Sequence, residues 1–368
     1  MKKTTLLVFS LLCTLLSFAQ GNLSGTVKDA ETGLPLEGAS VFAQNTTRGT
    51  LSDKEGAFKL YLERGGYEIV ISFTGYLSRT INLAEVTGDR QFTIDLQKGD
   101  NTLGEVIIKN TNEVPDGWEK HGAFFLANFI GASPNADSCT LLNPEALKFL
   151  YYKRNDRLKV LATEPLRIEN RALGYNMRYE LDSFVHHFQT DLNSYRGNCL
   201  YLPMEGDAAQ QASWEKARKE AYYGSRLHFL RAYYDSTLVK EGFTVDLYSP
   251  SSSSKFSRLR NPYDTAFYYF DDSTANAELF FPEKASITYT KKAPEKRYLE
   301  KNGLPLNVPV QISYVDVAET ILIKPNGYFT DQKSWINQGY WSWRNLADQL
   351  PYDYEPPANE KVNASGSR

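Results

Sequence analysis

The stretch Leu23-Ser24-Gly25-Thr26-Val27-Lys28 runs into Asp29-Ala30-Glu31-Thr32-Gly33 and then into Leu34-Pro35-Leu36-Glu37-Gly38-Ala39-Ser40-Val41-Phe42. Its first six residues put Leu, Gly and Val on one face of an extended chain and Ser, Thr and Lys on the other. That is the period-two pattern of a strand with one buried face. Asp29 to Gly33 then supplies turn chemistry, and residues 39–42 read as the next strand. The same alternation of short strand and turn continues through 49–51, 57–61, 67–73, 77–83 and 91–96. Asp53-Lys54-Glu55-Gly56 is a tight polar turn, placed to close a hairpin with an Asx-type bond. Closely spaced turns between short strands predict an all-β, seven-strand sandwich over residues 21–98.

The glycines and their neighbours fall into a pattern. Gly25-x-Val27, Asp29 and Thr32-Gly33-x-Pro35-Leu36-x-Gly38-Ala39-x-Val41 open it, and Gly49-Thr50-x-Ser52-Asp53-x-x-Gly56-x-Phe58 and Ser72-x-x-Gly75-Tyr76 follow. This segment resembles the carboxypeptidase-regulatory-like, transthyretin-like domain found at the N-terminus of many Bacteroidota envelope proteins. The resemblance implies a structural sandwich and an exported protein, and it assigns catalysis to none of these residues. The zinc chemistry of the peptidases that carry such domains needs His-x-x-Glu and a second His, leaving one open metal position. Here His121, His186, His187 and His228 are followed three residues later by Phe124, Gln189, Thr190 and Arg231, so that chemistry is not expected. Leu103-Gly104-Glu105-Val106-Ile107-Ile108 resembles the segment after this sandwich in TonB-dependent receptors. The roughly 260 residues that remain are too few for such a receptor's barrel, so the segment reads as a further strand or a linker.

The start of the chain points to the same compartment. Lys2 and Lys3 precede an uncharged, Leu-rich run that ends at Ser17-Phe18-Ala19, the layout of a signal peptide over residues 1–19. No later stretch is long and apolar enough to span a bilayer, so no membrane-spanning segment is expected after signal removal. With 41 basic and 44 acidic residues the chain lacks a nucleic-acid footprint, and no nucleic-acid partner is expected. Cys139 and Cys199 remain after the signal, and an oxidising compartment predicts a disulfide between them.

Beyond a linker at 99–116, residues 117–355 predict a mixed α+β domain, and 356–368 a disordered tail. Trp118, His121, Phe125 and Phe129 share one helical stripe. Residues 212–240 read as a helix capped by Ser213, which Gly224 either splits or lets pack closely, with Ser225 in its middle. Residues 177–187 read as a long strand whose even positions Glu180, Asp182 and His186 share a face. Two carboxylates and an imidazole there are candidates for acid/base catalysis, against the commoner reading of a solvated face. Trp335, Trp341 and Trp343 are binding candidates for stacking on sugar rings, against core packing. Segments around Phe129-Ile130-Gly131, Asn143-Pro144 and Tyr222-Tyr223-Gly224-Ser225 resemble Bacteroidota proteins described only as carrying a carboxypeptidase-like regulatory domain.

The expected function is a non-enzymatic cell-envelope accessory protein, exported to the periplasm or the outer membrane. Its expected partner is an envelope protein or a glycan, with no cofactor and no metal. The alternative is a hydrolase of peptide or glycan whose site lies in the second domain.

Overall fold

The computed structural model describes residues 21–63, 67–83, 88–99, 112–249, 255–317, 319–330 and 335–357. The signal peptide, the 103–108 segment and residues 358–368 of the tail lie outside the described residues. The chain divides into two compact units, residues 1–44 with 48–106 and residues 45–47 with 107–368.

The first unit is the N-terminal all-β sandwich. Its described strands are β1 (Gly21–Asp29), β2 (Ser40–Ala43), β3 (Gly49–Leu51), β4 (Ala57–Leu62), β5 (Tyr67–Ser72), β6 (Arg79–Leu83) and β7 (Arg90–Leu96). They form a three-stranded sheet, β4-β1-β7, and a four-stranded sheet, β3-β2-β5-β6. β1 alternates strictly between buried and half-buried positions, with Leu23 and Val27 inside. Gly25 is required there, because a Cβ would lie 2.2 Å from the Phe92 carbonyl oxygen of the parallel neighbour β7.

Asp29 joins two of the turn signals. Its carboxylate accepts the Glu31 and Thr32 N–H groups at 2.8 and 2.9 Å and the Tyr76 hydroxyl at 2.5 Å, with Lys98 Nζ 3.4 Å away. The Tyr76 hydrogen bond, then the backbone bond from Thr32, hold this carboxyl well below the usual carboxylate range. The Asp53 turn also makes its expected bonds, to the Glu55 and Ala57 N–H groups. It closes no hairpin, however: β3 before it pairs with β2, and β4 after it pairs with β1 in the other sheet. The turn carries the chain across the sandwich.

The second unit is mixed. Helix α1 (Gly117–Phe129) precedes β8 (Cys139–Leu141), β9 (Leu147–Tyr152), β10 (Arg157–Ala162), β11 (Leu166–Asn170), β12 (Tyr175–His187) and β13 (Leu192–Pro203). These strands form a six-stranded sheet ordered β8-β11-β12-β10-β9, with β13 along the other side of β12. The α1 stripe buries Phe125 and Phe129, whose rings meet Phe184 and Tyr179 edge-on at 5.2 and 5.1 Å. Such pairs contribute about 1 kcal/mol each beyond simple burial.

The expected helix over 212–240 is three: α2 (Ala208–Tyr222), α3 (Arg226–Tyr234) and α4 (Leu238–Glu241). Gly224, at φ +82°, breaks the first from the second. Ser225, expected mid-helix, instead caps α3, accepting the His228 N–H at 3.1 Å. The cap of α2 is not Ser213 but Asp207, which forms a reciprocal capping box with Gln210. Thereafter β14 (Phe243–Tyr248), β15 (Phe256–Arg258), β16 (Tyr268–Asp271), β17 (Asn276–Leu279), β18 (Ala285–Tyr289), α5 (Lys296–Lys301), β19 (Gln311–Val317), β20 (Ile321–Ile323), β21 (Trp335–Gly339) and α6 (Tyr340–Arg344) follow. They make a five-stranded sheet, β15-β14-β18-β19-β21, and a three-stranded one, β16-β17-β20.

Candidate functional site

Two strands of the second unit lie at the ends of their sheets: among the described residues β21 pairs only with β19, and β13 pairs with β12 and, at Leu200 alone, by a single bridge to Thr46, which leaves its Asn193–Gly197 stretch unpaired on that side. A cleft of about 230 Å³ lies between them. Consecutive residues of each strand line it, Asn193 to Gly197 on β13 and Trp335 to Asn337 on β21. Successive strand residues point to opposite faces, so a cleft lined by consecutive ones meets the strand's edge. Arg226, the first residue of α3, Asn345 and Gln349, beyond α6, and Tyr179 of β12 also line it. A smaller hollow of about 60 Å³ shares Arg226, Asn337, Asn345 and Gln349 and extends to Arg344, Asp348 and Trp341.

The amides are held by one contact each. Asn193 Nδ2 donates to Asn128 Oδ1 at 3.0 Å, and Asn345 Nδ2 to the Asn128 carbonyl at 2.7 Å. Gln349 Nε2 donates to the Tyr195 hydroxyl at 3.1 Å, and Asn337 Oδ1 accepts the Trp335 indole N–H at 2.6 Å. The opposite end of each amide makes no hydrogen bond among the described residues. A side-chain amide offers two donors and an acceptor with two lone pairs, so four half-used amides give this cleft both kinds of group. Burial pushes the Tyr179 and Tyr195 phenols up and keeps them neutral, against the opposing pull of Arg226.

Arg226 is half-buried, its guanidinium carbon 5.2 Å from the centre of the Phe329 ring, and no carboxylate pairs with it among the described residues. The other arginines of the cleft are neutralised. Arg196 pairs with Asp182, and Arg344 donates to Asp348 Oδ1 at 2.7 Å, which also accepts Asn135 Nδ2 at 2.8 Å. The cleft therefore carries one net positive charge, on Arg226.

The expected acid/base group is not assembled. The β12–β13 register shifts between Leu181 and Ser183, a bulge at Asp182. A bulge adds one residue to one strand and so reverses the inside-outside order beyond it. The core side is taken by Tyr175, Met177, Tyr179 and Leu181 before the bulge and by Phe184 and His186 after it. Glu180 and His186 therefore lie on opposite faces, and the exposed Asp182 is engaged by Arg196. His186 is 1% exposed, between Phe124 and Phe188 at ring distances of 4.7 and 4.5 Å, and burial lowers its pKa.

Trp335, Trp341 and Trp343 form no open stacking platform, since none is more than 7% exposed. Trp341 and Trp343 lie on the helix α6, not on a strand. Trp341 stacks on Trp335 at 6.4 Å and donates its indole N–H to the Gly224 carbonyl at 2.8 Å, while Trp343 packs on Tyr340 and Tyr298. Nor do the cysteines join: both are free thiols. Cys139 is on β8, and β11 and β12 separate it from Cys199 on β13. Three strand spacings are roughly 14 Å, twice the largest Cα separation a disulfide spans.

Sequence reasoning missed Arg226, Asn193, Asn337, Asn345 and Gln349. They are drawn from four separate segments, and none belongs to a motif.

Residues 23–108 match the family model of the CarboxypepD_reg-like domain, so the N-terminal sandwich belongs to that domain family. The chain is 32% identical over 114 residues to TonB-dependent receptor SusC of Bacteroides thetaiotaomicron, covering 31% of this chain and 11% of that protein. It is 28% identical over 107 residues to TonB-dependent receptor P3 of Formosa agariphila, covering 29% and 10%. It thus spans about a tenth of the length of these curated relatives. Among solved structures, a type II cohesin–X-dockerin complex from Acetivibrio cellulolyticus is 24% identical, covering 22% of this chain and 59% of that one, with a TM-score of 0.20. No helix among the described residues is long and apolar enough to cross a membrane.

Proposed function

We propose that this protein is a non-enzymatic accessory protein of the cell envelope whose second unit binds a glycan in the cleft between β13 and β21. One observation carries the reading: four amides there are each fixed at one end and unused at the other. Pre-oriented donors and acceptors in a concave site suit a ligand rich in hydroxyl groups, which themselves both donate and accept. The envelope location rests on the sandwich's domain family and on the similarity to TonB-dependent receptors. The hydrolase alternative loses its candidate site, because the bulge at Asp182 separates Glu180 from His186.

The test is calorimetric titration of the full chain with a panel of neutral and acidic sugars, alongside chromatography of each mixture after prolonged incubation. Binding with unchanged sugar, weakened at least tenfold in Asn337→Ala, is the expected result. Absence of binding across the panel, or cleavage of a panel member, overturns the proposal.

A further inference from the structure

Resting on that reading, we infer that the cleft is selective for acidic sugars, with Arg226 as the residue that receives the sugar carboxylate.

The argument starts from charge. Three guanidinium groups border the cleft and the adjoining hollow. Two already have carboxylates: Arg196 has Asp182, and the deeply buried Arg344 has Asp348. Arg226 has none among the described residues, although it is half-buried and lines the cleft together with the buried Tyr179 and the half-buried Tyr195. A partly desolvated cation without a counter-charge is unfavourable in the empty protein and becomes favourable once an anion arrives. A guanidinium presents a planar fork that matches a carboxylate in two parallel hydrogen bonds.

The surroundings select a sugar over a peptide end. The cleft volume, about 230 Å³, equals roughly eight water molecules of liquid volume. That holds one sugar ring, whereas a three-residue extended strand needs about 10 Å of length and its side chains besides. The groups that share the cleft with Arg226 include the amides of Asn193, Asn337, Asn345 and Gln349, which match ring hydroxyls.

The test compares glucuronate, galacturonate and mannuronate with glucose, galactose and mannose, and with a short peptide bearing a free C-terminal carboxylate. Titrations use the full chain, its Arg226→Gln and Arg226→Lys variants, and Asn337→Ala. We expect at least one uronate to bind tenfold or more tighter than its neutral hexose, and to weaken as salt rises. Arg226→Gln removes that tenfold difference between uronate and hexose, while Arg226→Lys restores part of it. A variant that merely loosens the fold would weaken uronate and hexose together, and such a result overturns the inference. So does equal binding of uronates and hexoses by the unaltered chain, which leaves the glycan reading standing. Tighter binding of the peptide than of every uronate overturns the sugar assignment itself, and absence of all binding overturns both.

Discussion

Removing the positive member of the Arg344–Asp348 pair should destabilise the second unit by about 3–5 kcal/mol at neutral pH. Both side chains are 6% exposed and meet at 2.7 Å. Burial works against the Arg344 charge, and Asp348, Tyr340 and Glu295 together more than offset that penalty, Asp348 foremost. In Arg344→Met the chain keeps most of its volume, but Asp348 is left buried with the Asn135 amide as its main remaining donor. One way out is to take up a proton. For an aspartic acid with an ordinary pKa near 3.9, protonation costs about 4 kcal/mol at pH 7 and about 1.5 kcal/mol at pH 5. The defect should therefore shrink on mild acidification, the reverse of the usual acid weakening. The double variant Arg344→Met/Asp348→Leu should cost less than the single one, because it buries no lone charge. The assay is urea unfolding followed by tryptophan fluorescence. All five tryptophans lie beyond residue 107, so the signal reports on the second unit. A single-variant cost below about 1 kcal/mol, no relief at pH 5, or a double variant weaker than the single would refute the reasoning.

His228 is buried, accepts the Gly224 N–H on Nδ1 at 3.2 Å and faces Glu241 through Nε2 at 3.3 Å, so it is held neutral; burial pushes its pKa down to about 4, against the pull of Glu241. The unfolded imidazole, near 6.5, binds its proton first, so up to about 3 kcal/mol of stability is present above pH 6.5 and lost as pH falls toward 4; stability of His228→Asn should vary less steeply across that window. Burial pushes the Cys139 thiol up to about 12 and raises Cys199 as well, so alkylation at pH 8 should be slow in the folded chain and should titrate two thiols in denaturant. In the chain without residues 1–19, no thiol titrating in denaturant would restore the disulfide. Phe129→Ala should cost about 3–5 kcal/mol, since the ring is fully buried against Phe125, Tyr179 and Tyr195; a change below 1 kcal/mol by the same fluorescence assay would show that the α1 stripe is not core. Gly224→Ala should cost at least about 1 kcal/mol, because φ is +82° and a Cβ would meet Gln311 Oε1 at 2.6 Å; an unchanged urea midpoint would argue against that break between helices.

The sandwich was legible in the sequence because its determinants are local. Period-two alternation in β1, the Asp29 and Asp53 turns and the close approach at Gly25 each depend on a few adjacent residues and one neighbour. Even there, the destination of a turn was not local, and the chain after Asp53 enters the other sheet. The second unit gave up its helix stripe at Phe125 and Phe129 for the same reason. Its site did not follow. One inserted residue at Asp182 moved His186 to the far side of Glu180, and strand order placed Cys139 three strands from Cys199. Sequence alone thus determined the sandwich and the alternation along β1. Tertiary structure decided which residues meet, because Asn193, Arg226, Asn337 and Gln349 share a cleft only through the packing of β13, α3 and β21, contacts that no local pattern encodes.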